Sequence, residues 1–310
     1  VINDKRSTIH YLFPAMPLQF RENVPLADYT SFRVGGPARG FCAPSSEAEF
    51  REARRFARER GLRTFILGKG TNMVFSDAGY DGLLVYTGNY AGIAWDGRRV
   101  TAQCGALLLD VVTQSAARGL RGMQNLAGIP GTLGGGAYIN AGAFDQELKD
   151  VITEVVSLDE AGERIRRDNA GCLFAYRRSA FCGAGEWILE VTMELQEDGD
   201  AEGLTAQMNA TLARRAEKQP LHLPNAGSMF KRPPGNYAGV LIEAAGLKGF
   251  RLGGAGISEK HANFTVNHGG ATAQDIWDLT SEVILRVKAN SGITLEREPI
   301  FAGEFLPWPR

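Results

Sequence analysis

Two glycine-rich loops are the first places in this chain where residue type and spacing could do chemistry. Gly68-Lys69-Gly70-Thr71-Asn72 lies between Thr64-Phe65-Ile66-Leu67 and Met73-Val74-Phe75, both β-branched or aromatic enough for strands, so it is a strand-connecting loop. It is not a Walker loop, because Lys69 precedes Gly70 and Arg63 stands where that motif needs its first glycine. It is not a dinucleotide fingerprint either, since Met73 opens a strand where a third glycine and a helix should follow. Two readings remain: a nest of backbone N–H groups, helped by Thr71 and Asn72, that holds a pyrophosphate, or a plain turn. The second loop, Gly128-Ile129-Pro130-Gly131-Thr132-Leu133-Gly134-Gly135-Gly136 continuing to Asn140 and Gly142, permits close approach of backbone to a ligand, with Pro130 and Asn140 fixing its shape. Together the loops favour one large shared ligand.

The elements that must position these loops are legible in outline. Ser46-Glu47-Ala48-Glu49 is a capping box, and Phe50, Ala53, Phe56 and Ala57 recur at helical spacing up to Gly61, so a helix is expected from 47 to 60. Leu83 to Tyr86 and Val100 to Cys104 continue the strand pattern, and Leu108, Val111, Val112, Ser115 and Ala116 form one helical face ending at Gly119. Val151 to Leu158 and Trp187 to Leu195 alternate like paired strands. The polar stretch from Gln196 to Gly203 is the best domain boundary, followed by helices over 204–215 and 273–287 and a glycine-rich patch at Gly253-Gly254. There is no internal repeat.

Composition narrows the function. The 310 residues carry 34 basic and 35 acidic side chains, a net charge of −1, so no global field favours nucleic acid or an anionic membrane. An apolar fraction of 44% is enough to bury real cores. Cys42, Cys104, Cys172 and Cys182 lie far apart, which argues against a zinc site or a disulfide framework and for reduced, cytoplasmic thiols. The apolar stretch Ile9 to Phe20 is broken by Pro14 and Pro17, and no later run is long enough to span a bilayer.

Tyr29-Thr30-Ser31-Phe32-Arg33-Val34-Gly35-Gly36-Pro37-Ala38, then Leu67 to Asn72, then Ala127-Gly128-Ile129-Pro130-Gly131-Thr132-Leu133-Gly134-Gly135 resemble the UDP-N-acetylenolpyruvoylglucosamine reductases. The resemblance runs from about Pro25 to Phe305. It implies an α+β protein whose FAD-binding fold, of the vanillyl-alcohol-oxidase type, has two subdomains (21–85 and 86–203), preceded by an extension over 1–20 and followed by a substrate-binding domain over 204–310. The loops would then grip the flavin's pyrophosphate and ring. The cofactor residues it implies are Gly68, Lys69, Gly70, Thr71, Asn72, Gly128, Ile129, Pro130, Gly134, Gly135, Asn140 and Gly142. His10, His222, His261 and His268 all fall outside Asp28 to Leu195, so FAD attached through a histidine of that span is excluded, and the cofactor is held without a covalent bond.

The same resemblance carries catalytic roles onto three residues. Phe174-Ala175-Tyr176-Arg177-Arg178 is similar to the family's Tyr-Arg segment, and Arg177 inherits the catalytic arginine, whose planar charged fork suits an enolate oxygen or a carboxylate. Asn225-Ala226-Gly227-Ser228-Met229-Phe230-Lys231 is similar to the serine segment, which makes Ser228 the proton donor; a hydroxyl is a poor acid and needs close placement beside a cation such as Lys231 or Arg177. A rival reading of Ser228 to Lys231 as the S-x-x-K of penicillin-recognising enzymes lacks that family's Ser-Asp-Asn and Lys-Thr-Gly. In Leu295-Glu296-Arg297-Glu298-Pro299-Ile300, alignment on Gly303 assigns the family's glutamate to Glu298, with Glu296 the lesser candidate because Pro299-Ile300 departs from the pattern. Lys218, Lys231, Arg232, Lys260 and His261 are the expected substrate contacts in a positively charged C-terminal part. No metal is expected.

The implied reaction is reduction of UDP-N-acetylglucosamine enolpyruvate to UDP-N-acetylmuramate in peptidoglycan precursor synthesis, with NADPH as co-substrate. The protein would be a cytoplasmic monomer or weak homo-oligomer that binds a UDP-sugar, and neither nucleic acid nor membrane. The absence of a long insertion between Pro220 and Pro234 resembles the shorter branch of the family. A flavin oxidase of the same fold and a non-catalytic FAD or UDP-sugar sensor are the rival functions.

Overall fold

The computed structural model describes residues 18–309; most of the expected 1–20 extension, with His10, lies outside them. The first helix, α1 (Glu47–Glu59), forms where the apolar spacing requires it, burying Phe50, Ala53 and Ala57 and ending before Gly61 at φ +59. The Ser46 side chain accepts the Glu49 N–H, but the Glu49 carboxylate takes the N–H and hydroxyl of Ser45 instead of closing the box on Ser46.

α1 accompanies a four-stranded sheet in the order Arg21–Pro25, Pro37–Cys42, Tyr80–Tyr86, Thr64–Leu67, whose first pair is antiparallel and whose other pairs are parallel. A second, five-stranded sheet is fully antiparallel, in the order Arg164–Asp168, Ile152–Leu158, Trp187–Glu194, Arg99–Gln103, Ile93–Asp96. α2 (Leu108–Ala117) follows that sheet's Arg99–Gln103 strand and buries the expected face of Leu108, Val111, Val112, Ser115 and Ala116.

The glycine-loaded second loop contains a helix that composition hides, α3 (Leu133–Tyr138), capped by the Thr132 hydroxyl. Three consecutive glycines cost a helix about 1 kcal/mol each against alanine. Close packing requires two of them: a Cβ on Gly134 would lie 2.6 Å from the Cys104 Cβ, and one on Gly136 2.7 Å from Leu148 Cδ1.

α4 (Ala201–Lys218) begins earlier than its apolar pattern indicates, because Asp200 caps the Gly203 N–H. Its Met208 and Leu212 join the core that also holds Val111 and Val112 of α2. The last domain therefore does not begin at 204: α4 is built onto the preceding core, and the chain leaves it only after Lys218. The final part, α5 (Ala238–Ala244), a small antiparallel sheet over 251–267 and α6 (Ala273–Ser291), has a core of its own, into which Phe32, Val34 and Val74 insert from the first subdomain. The exchange is mutual. The strand Ile300–Ala302 pairs in parallel with Met73–Phe75, immediately after the first glycine loop.

Candidate active site

Between these parts lies a cavity of about 610 Å³, walled by both glycine loops, the turn at Arg177, the Ala226–Ser228 segment and Glu298. Its size falls in the range of sites for large organic ligands. The first loop is locked from both sides: the Gly70 carbonyl accepts the Ser31 N–H, and the Thr71 hydroxyl donates to the Pro130 carbonyl of the second loop at 2.9 Å. Gly70 adopts φ +64, and a Cβ there would collide with the Tyr29 carbonyl oxygen. The N–H groups of Lys69, Gly70, Thr71 and Asn72 donate to no protein acceptor among the described residues, which leaves them free, as a nest for an anion requires. In the second loop, by contrast, Leu133, Gly134 and Gly135 already donate to Ala106, Cys104 and Thr132, so the first turn of α3 offers a smooth wall rather than donors.

Arg177 stands at φ +54 in a tight turn closed by mutual hydrogen bonds between Ala175 and Arg178, a conformation that costs a non-glycine residue on the order of 1 kcal/mol. Asn140 explains why the turn holds. Fully buried, it donates to the Ala175 carbonyl and the Glu147 carboxylate and accepts the Lys149 N–H, so it braces Arg177's turn and does not line the cavity. Gly128 does not line it either; a Cβ there would meet the Arg215 side chain.

Arg177 Nε donates to Glu298 Oε1 at 2.6 Å and a terminal nitrogen donates to the Gly142 carbonyl at 3.2 Å. Burial pushes the Glu298 carboxyl above its ordinary value, against the pull of Arg177 and then Lys231. The Ser228 segment runs alongside: Glu298 N–H donates to the Met229 carbonyl, Lys231 N–H to that of Glu296, and Met229 N–H to that of Asn263. Thus Ser228 and Glu298 sit on adjoining stretches of backbone. Glu296 faces outward, 71% exposed, and pairs with Lys231. Of the two glutamates, only Glu298 meets Arg177.

Gly68 to Asn72, Ile129, Pro130, Gly134, Gly135, Gly142, Arg177, Ser228 and Glu298 therefore share one cavity. The expected substrate contacts do not. Lys231 lines a smaller neighbouring cavity, beside Arg177 and Glu298. Arg232 lies over the Tyr237 ring, Lys260 donates to the Ala216 carbonyl, the half-buried His261 accepts the Asn263 N–H and packs against Phe264, and Lys218 is exposed. Two wall residues escaped the sequence reading, Arg215 and Gln219. Their i, i+4 spacing at the end of α4, where Gln219 is the C-cap, was the available signal.

Residues 219–302 match the family model described as UDP-N-acetylenolpyruvoylglucosamine reductase, C-terminal domain, and residues 38–168 match an FAD binding domain. A UDP-N-acetylenolpyruvoylglucosamine reductase of Moorella thermoacetica is 42% identical over 94% of this chain and 96% of its own. The chain belongs to the UDP-N-acetylenolpyruvoylglucosamine reductase family. A relative of the same name from Caldicellulosiruptor bescii is 40% identical over 93% of the chain and 92% of its own length. The crystal structure of the Thermus caldophilus reductase superposes with a TM-score of 0.78 at 30% identity, covering 92% of this chain and 99% of that one. The protein is thus an FAD-dependent oxidoreductase of α+β architecture, as the sequence led us to expect. The cavity suits the cofactor in three respects: the unused N–H groups of the first loop, the bare glycine wall of α3, and buried polar atoms of Arg215 and Gln219 that have no protein partner.

Proposed function

We propose that the protein reduces UDP-N-acetylglucosamine enolpyruvate to UDP-N-acetylmuramate, with NADPH as the reductant, in the cytoplasm. The observation that carries this reading is the joining of Arg177 to Glu298 on the cavity wall that also presents Ser228. Bound FAD supplies the hydride chemistry. The protein's own groups supply charge and a proton. Arg177 commits one N–H to Glu298 and one to Gly142, leaving the rest of its fork for the substrate carboxylate and the negative charge that develops on it. Glu298, carrying a raised carboxyl, fixes that fork and offers a hydrogen bond to the same oxygen when protonated. Ser228 gives its hydroxyl proton to the neighbouring carbon, a task that demands close placement because the hydroxyl is a weak acid.

Burial pushes the Cys42 and Cys104 thiols up to about 12, so both stay protonated and unreactive. Among the described residues no helix is long and apolar enough to cross a membrane. A monomer or weak homo-oligomer is the assembly we expect.

The test is an anaerobic two-step absorbance experiment. NADPH should bleach the flavin band, and UDP-N-acetylglucosamine enolpyruvate should restore it. In Ser228→Ala the first step should persist and the second should slow by about 10²-fold or more. A flavin that NADPH bleaches and this substrate leaves bleached would retain the fold and discard the reaction.

A further inference from the structure

We propose that Arg215 and Gln219 form a ligand subsite in the wall of the large cavity, built for a phosphate oxygen with a hydroxyl beside it. Among the described residues, three arginines have a buried Nε without a hydrogen-bond partner: Arg54, Arg167 and Arg215. Arg54 still donates to the Leu158 and Gly185 carbonyls and lies on Trp187, and Arg167 is paired with Glu186. Arg215 has neither an ion pair nor a side-chain hydrogen bond among the described residues, and no acid offsets the burial that lowers its pKa. A cation partly desolvated without a counter-charge is costly, and an anion arriving from the cavity would relieve that cost.

The surroundings keep it there. Arg215 runs beside Gly128, where a Cβ would stand 2.8 Å from its Cδ, so the glycine makes room for the arginine stem to reach the cavity. Gln219, one turn on, has a buried amide oxygen with no donor, which suits a ligand hydroxyl. A cation beside an acceptor is the complement of a phosphorylated polyol or sugar. Three molecules of the proposed reaction contain that pair: the ribityl phosphate of the cofactor, the sugar diphosphate of the substrate and the ribose phosphates of NADPH. The proposal rests on the functional reading above and extends it to residues outside the catalytic set.

Arg215→Met keeps most of the stem volume and removes the charge; Arg215→Gln replaces it should the first variant fail to fold, and Gln219→Leu tests the acceptor. Each is compared with wild type for apoprotein Tm, FAD dissociation constant by quenching of flavin fluorescence, and KM for the UDP-sugar and for NADPH. The neutral Arg215 variant should melt no lower than wild-type apoprotein and lose at least tenfold in one affinity. Loss in FAD binding identifies the cofactor as the source of the phosphate; loss confined to one KM identifies the UDP-sugar or NADPH accordingly. Gln219→Leu should weaken the same arm. Unchanged affinities overturn the proposal, as does a drop in apoprotein Tm with weaker binding of both ligands, because a distorted cavity would do both. If wild type takes up neither FAD nor the UDP-sugar, the functional reading falls and this subsite with it; if wild type binds both and the variants match it, the subsite alone falls.

Discussion

Arg177 and Glu298 are 121 positions apart in the chain and 2.6 Å apart in space, joined Nε to Oε1 with both side chains largely shielded from solvent. Neither arrives by local preference. The turn at Ala175–Arg178, braced by Asn140, delivers the arginine, and the backbone ladder between 229–231 and 296–298 delivers the glutamate. The pair exists only when the second subdomain and the C-terminal part are docked.

Arg177→Lys tests whether the fork matters beyond its charge. A lysine cannot hold Glu298, the Gly142 carbonyl and a substrate oxygen in one plane. Restoration of the flavin band by the UDP-sugar should slow by about 10²-fold or more, while bleaching by NADPH and the Tm stay near wild type. Wild-type rates in both steps would remove the fork from the mechanism.

Glu298→Gln and Glu296→Gln separate a shielded carboxyl from an exposed one. The Glu296–Lys231 pair is open to solvent, where such pairs contribute about 0–1 kcal/mol, so Glu296→Gln should change little. Glu298→Gln should lower turnover sharply and also alter the pH dependence of stability. Burial raises the Glu298 carboxyl in the folded state, so the folded protein binds more protons than the unfolded chain between the ordinary value and the raised one. Wild-type stability accordingly declines as pH rises through that window, relative to a variant that cannot titrate there. The stability difference, Glu298→Gln minus wild type, should grow from the ordinary carboxylate pKa upward and then level off. A flat difference across pH 4–7, measured by denaturant unfolding, would show that Glu298 is not held above its ordinary value.

Local pattern made the strands near 64–67, 73–75, 83–86, 100–104, 151–158 and 187–195, the buried faces of α1 and α2 and the positions of both glycine loops legible, because alternation, helical spacing and glycine placement are local signals. Glu298 over Glu296 followed from alignment on Gly303 and is where the geometry brings a glutamate to Arg177. Three features were hidden. α3 was invisible since its glycines argue against a helix until Cys104 and Leu148 are known to press on it. The docking of α4 was misjudged because a polar stretch at 196–203 looks like a linker when its far side cannot be seen, and Met208 and Leu212 reveal their partners only in space. The expected substrate contacts Lys218, Lys231, Arg232, Lys260 and His261 followed from charge and from the family resemblance, while the unpartnered Arg215 could be recognised only by what fails to surround it.

Gly134 and Gly135 are neighbours in α3 that should respond oppositely to the same methyl group. On Gly134 a Cβ would lie 2.6 Å from the Cys104 Cβ and 2.9 Å from its carbonyl oxygen, so Gly134→Ala overpacks the contact between α3 and the second sheet. The cost should be about 1–3 kcal/mol, seen as a lower apoprotein Tm. On Gly135 the nearest protein atom is the Thr132 hydroxyl at 3.4 Å, an ordinary contact, and alanine favours a helix by about 1 kcal/mol over glycine. Gly135→Ala should therefore leave the apoprotein as stable as wild type or more so. Its methyl stands on the cavity wall, in space a flat ligand needs, so FAD binding should weaken by an order of magnitude in fluorescence titration. Undiminished FAD affinity in Gly135→Ala would mean that the cofactor does not lie against α3, and the second glycine loop would then owe its composition to packing alone.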